Sequence, residues 1–114
     1  MISIGEPVNG QELLAEFMRY GRQRPFEEIT RRYAGMVFNV CLRVTKDKHD
    51  AEDATQAVFL TLALQAKRGV EIKALGPWLQ HGAKRLSLDM RRSKKRRKPR
   101  EERHHAEQTL RRNS

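Results

Sequence analysis

Few residues in this 114-residue chain are arranged for making or breaking bonds. The one cysteine, Cys41, excludes a disulfide framework and a multi-Cys zinc site. His49, His81, His104 and His105 have no Cys or paired acid at metal-ligand spacing, and no glycine-rich phosphate loop is present. His104-His105 beside Glu107 offers at most an adventitious metal contact, and His81 reads as a surface residue. The expected chemistry is binding, without catalytic residues, metal or cofactor.

Two charged groupings are suited to binding. Residues 84–100 hold ten Lys or Arg against the single acid Asp89, a net +9 out of a total of +10. The rest of the chain keeps 14 of the 24 cations and 13 of the 14 acids, so the body is nearly neutral. Residues 49–66 run the other way, with Asp50, Glu52 and Asp53 and no Lys or Arg. A polarised chain of this kind is expected to present two surfaces to two partners. The basic block suits nucleic-acid phosphates, which supply affinity and salt dependence without sequence information.

The elements that must position these groups read as helices, with no strand pattern and no repeat. The expected fold is all-α, a small bundle of three to four helices with a basic C-terminal extension. The first helix spans about 10–20, with Asn9 and Glu12 as a capping box, Leu13, Leu14, Phe17 and Met18 as its stripe, and Gly21 as its end. The second spans about 25–45, with Pro25 at its first position and a face of Phe26, Ile29, Tyr33, Met36, Val37, Val40, Cys41 and Val44. The third, about 51–67, takes Asp50 as N-cap, and Ala54, Val58, Phe59, Leu60 and Leu62 give it a broad apolar surface. After a loop at 68–76, a fourth helix at about 77–97 buries Leu79, Ala83, Leu86 and Met90 until Pro99 breaks it. Residues 100–114 read as a frayed helix or linker.

Short amphipathic helices of this kind are marginal alone and bury a shared core together. Only 38% of the chain is hydrophobic and 6% aromatic, so that core is small and aliphatic. No apolar run is long enough to span a membrane, and MISIGEPVNG lacks the start of a secretory signal. These features point to a cytoplasmic protein without membrane insertion.

Three stretches carry a resemblance. Asp50-Ala-Glu-Asp-Ala-Thr-Gln-Ala-Val-Phe59 resembles the DAEDxTQ-x-VF signature of region 2 of sigma-70-family transcription initiation factors, of the extracytoplasmic-function type. Trp78-Leu79, then Leu86-Ser87-Leu88-Asp89 and an Arg/Lys run, is similar to the same family's W-L…L-A-L-D-x-x-R-R pattern. Upstream, Phe26-Glu-Glu-Ile-Thr-Arg-Arg-Tyr33 resembles its F-x-x-L-x-x-x-Y opening. The likeness covers about 26–98 and divides the chain into an N-terminal extension (1–24), a region 2 domain (25–98) and a charged tail (99–114). That tail leaves no room for the region 4 domain that family members normally carry. Two positions depart from the pattern: Ala57 stands where the family usually has Glu, and Lys84-Arg85 where it commonly has Arg-Asn.

The resemblance implies a bacterial factor that binds core RNA polymerase and recognises and melts the promoter −10 element. It places Glu52, Asp53 and Gln56 against the clamp helices of the β′ subunit. It places Lys84, Arg85, Arg91, Arg92 and Lys95 against promoter DNA. The loop residues Arg68, Glu71 and Lys73 are to hold an unstacked base of the non-template single strand. Trp78 reads first as a core residue, with base stacking or a cation–π contact as its other use. An anti-sigma factor is a further implied partner. The alternative from the residues alone is a basic helical module that binds DNA or RNA without polymerase.

Overall fold

The computed structural model describes the backbone of residues 9–113 and the side chains of residues 9–96. Four helices follow one another: α1 (Gly10–Tyr20), α2 (Gln23–Thr45), α3 (Lys48–Lys67) and α4 (Leu75–Asn113). Helix α2 is central and packs on the other three.

Helix α1 forms as its caps dictate. Asn9 Oδ1 accepts the Glu12 backbone N–H at 2.8 Å, and Asn9 Nδ2 donates back to Glu12 Oε1 at 3.0 Å. Gly21 adopts φ 64°, which glycine tolerates without a Cβ clash, and its N–H returns to the Phe17 carbonyl at 2.8 Å. Leu13, Leu14 and Phe17 are buried, and the Phe17 ring sits 5.0 Å from that of Phe26. Met18 differs from expectation: it stands at the rim of the stripe and is exposed.

Helix α2 begins two residues before Pro25, which therefore occupies the third position. Its missing N–H still falls among the four that a helix start leaves unpaired. Ile29, Val37, Val40 and Cys41 reach the core. On the outer face, Glu28 is held by Arg31 at 2.6 Å and Arg32 at 2.9 Å, which draws its carboxyl down to about 2.

The start of α3 corrects one expectation. Asp47, not Asp50, is the N-cap: its carboxylate accepts the Asp50 backbone N–H at 3.0 Å. The chain reaches Asp47 through Lys46, whose φ of 56° ends α2 in the left-handed region and leaves only one residue before α3. Asp50 is thereby freed from capping. Ala51, Ala54, Val58, Phe59, Leu62 and Ala66 are buried, whereas Leu60 is 62% exposed and lies outside the apolar surface expected of it.

Helix α4 starts at Leu75 rather than 77, and its backbone continues through Pro99 to Asn113. Proline costs an interior helix one hydrogen bond, about 3 kcal/mol. The Lys, Arg, Glu, Ala and Gln around it are strong helix formers that offset this cost. Leu75, Leu79, Ala83 and Ser87, each four apart, form the buried edge, with Leu86 and Met90 half-buried beside it. The apolar stripe runs out after Met90, while the structure as a whole extends 73 × 26 × 20 Å.

Ser87 is the exception in this core. It is fully buried, and its Oγ has no hydrogen-bond partner among the described residues. A buried hydroxyl without a partner forfeits its hydration, at about 1–3 kcal/mol. Ser87→Ala is therefore expected to stabilise the fold by about 1 kcal/mol and to raise Tm by roughly 4–8 °C in calorimetry.

Candidate functional site

The outer face of α3 follows from its inner one. With Ala51, Ala54, Val58 and Leu62 turned to the core, Glu52, Asp53 and Gln56 are exposed together. Leu60 and Leu64 continue the line of Asp53 and Gln56 at helical spacing and are 62% and 47% exposed. The expected docking residues thus share a face, and an apolar strip extends it, of which Leu60 was expected in the core. Ala57, at its edge, is half-buried.

Asp50 belongs elsewhere. Lys94 donates to its carboxylate at 2.9 Å and lies 3.8 Å from Asp47. This bridge ties the basic run of α4 to the start of α3. Hydrogen bonding to Asp50 raises the Lys94 ammonium above its ordinary value. The Asp50 backbone N–H, with Lys94 behind it, holds Asp47 below the usual carboxylate range. Sequence reasoning did not single out Lys94, since the pairing joins residues 44 positions apart.

The five cations expected on α4 are brought together. At 3.6 residues per turn, Lys84, Arg85, Arg91, Arg92 and Lys95 fall within about a third of the helix circumference. That sector lies opposite the buried edge, and all five are exposed. Arg92 stands 4.0 Å from Asp89, a loose exposed pair that leaves the sector strongly positive. Arg85, His81 and Asp89 also line a cleft of about 330 Å³ between α3 and α4, together with Trp78 and Gln65. Trp78 is half-buried: it packs on the core and still reaches the cleft.

The loop between α3 and α4 is short and anchored. Gly69, at φ 75°, ends α3, and Ile72 is buried as a plug. Arg68, Glu71 and Lys73 remain exposed. A second cleft of about 350 Å³ separates this loop from α1, walled by Gln11, Ala15 and Met18 on one side and Gly69, Glu71 and Lys73 on the other. Arg68 lies beside this cleft in sequence but does not line it. Gln11, missed in the sequence, reaches across: its Nε2 donates to the Ile72 carbonyl at 2.5 Å, and its Oε1 accepts the Leu75 N–H at 3.0 Å.

Among the described residues, no group of three or more His, Cys, Asp or Glu could hold a metal ion, and no helix is long and apolar enough to cross a membrane. The arrangement offers an acidic and apolar face, a cationic face, and two clefts that adjoin polar and charged side chains.

No curated protein and no solved structure matched the chain in comparisons with known proteins. A family model did: sigma-70 region 2 matches residues 29–97, which takes in α3, the loop and the cationic face of α4. The chain belongs to the sigma-70 region 2 family, whose members act in RNA polymerase binding and promoter recognition.

Proposed function

We propose that this domain docks on the clamp helices of the polymerase β′ subunit through Glu52, Asp53 and Gln56, and captures a melted promoter −10 element. Lys84, Arg85, Arg91, Arg92 and Lys95 hold backbone phosphates. The loop bearing Arg68, Glu71 and Lys73 takes an extruded base of the non-template strand, and Trp78 lies beside the junction of paired and melted DNA. The observation that carries this reading is the separation of the two faces. Acids and exposed leucines occupy the outside of α3, and five cations share one sector of α4.

Melting needs no bond chemistry. A domain that binds the open strand more tightly than the duplex shifts the equilibrium by that difference in affinity. Extruding a base costs a few kcal/mol, which contacts in the pocket must offset. The cleft beside the loop has Glu71 and Lys73 for such contacts and no aromatic ring, so edge hydrogen bonding and shape dominate there.

The test combines co-elution with core polymerase and opening of a −10 duplex that carries a fluorescent adenine analogue. Co-elution, and opening only when both are present, is the expected result. Equal binding of any duplex or single strand, with no polymerase association, would instead support a polymerase-independent nucleic-acid coat.

A further inference from the structure

We propose that Gln11 is a positioning residue for the strand-capturing loop, and that α1 is therefore a working part of the site. The inference rests on the loop role proposed above. Gln11 lies ahead of the segment that matches the family model, which begins at residue 29.

The case starts from the unpaired groups of a helix start. The first N–H groups of α4 have no partner within the helix. Lys73 and Ala74, just before it, are poor capping residues. Leu75 is only 2% exposed, so water has little access to satisfy its N–H. Gln11 Oε1 accepts that N–H, while its Nε2 donates to the carbonyl of Ile72. One planar amide thus closes both ends of the segment 72–75 and holds the loop to α1 across the cleft.

Only an amide can fill both roles at this length, because it carries a donor and an acceptor side by side. Glutamate retains the acceptor but faces the Ile72 carbonyl with a second one. Methionine keeps length and helix propensity and offers neither bond. Gln11 is itself exposed, and the buried Leu13, Leu14 and Phe17 hold α1 in place without it. Loss of the amide therefore loosens the loop and leaves the bundle folded.

The experiment measures the full chain and Gln11→Met by hydrogen exchange and by binding to single-stranded and duplex −10 oligonucleotides. Gln11→Met is expected to speed exchange at Leu75 and to weaken single-strand binding about tenfold, the net effect of losing two hydrogen bonds. Duplex binding, which depends on the α4 cations, should not change. Gln11→Asn, too short to reach both partners, should behave like Gln11→Met. Faster exchange with unchanged single-strand binding would overturn the positioning role, as would unchanged exchange. An equal loss on both DNA forms would mark a general structural defect and would overturn it too. If the unaltered chain shows no preference for the single strand, the loop reading itself fails, whatever Gln11 does.

Discussion

Asp53→Arg is expected to lower affinity for core RNA polymerase at least thirtyfold while leaving DNA binding intact or stronger. Asp53 is exposed on the second turn of α3, and no core residue depends on it. Reversing its charge disturbs the helix dipole only slightly, by less than about 1 kcal/mol. At a docked interface the effect is far larger. Removing one partner of a desolvated, hydrogen-bonded charge pair costs about 2–5 kcal/mol, and a like charge in its place adds repulsion. The same substitution makes the chain more positive, which favours approach to DNA through the long-range field. Gln56→Ala should give a smaller loss, since it removes neutral hydrogen bonds only. Titration against fluorescently labelled core polymerase measures both variants. Wild-type affinity in Asp53→Arg would remove the outer face of α3 as the docking surface.

The same helix shows how far the sequence could be read. Its buried residues recur at helical spacing, and Glu52, Asp53 and Gln56 follow as their complement. The capping residue was less legible. Asp47 and Asp50 stand three apart, and either could accept from a helix start. The choice falls on Asp47 because α2 ends at Thr45 with Lys46 as its cap, which leaves Asp47 alone to open α3, and Asp50 then finds Lys94, 44 residues away. Leu60 posed the opposite problem. An apolar residue beside Phe59 reads as core until the neighbouring helices are in place and leave that sector uncovered. Gln11 was invisible for the same reason, since its partners are 61 and 64 residues distant. Local periodicity and caps therefore disclose the helices and their outer charges, and long-range pairs decide where they start and what holds the loop.

The cationic sector of α4 makes the sharpest quantitative expectation. Each phosphate neutralised by the protein contributes about 0.9 to the slope of log affinity against log salt on duplex DNA. Replacing Lys84, Arg85, Arg91 and Arg92 together by Ala should therefore flatten that slope by about 3.6. Between 50 and 200 mM salt, the unaltered chain should lose about a hundredfold more affinity than the variant, which follows from roughly four fewer contacts. Alanine is the best helix former, and all four side chains lie away from the buried edge of Leu79, Ala83 and Ser87, so α4 persists. Polymerase binding should be unaffected, because α3 is untouched. Lys94→Ala provides the contrast: its ammonium is already engaged by Asp50, so its removal should change the slope by much less than one contact's share. Titrations at five salt concentrations measure both variants. An unchanged slope in the fourfold variant would assign the phosphate contacts to the cations after residue 94 and leave the sector from Lys84 to Arg92 without a role in DNA binding.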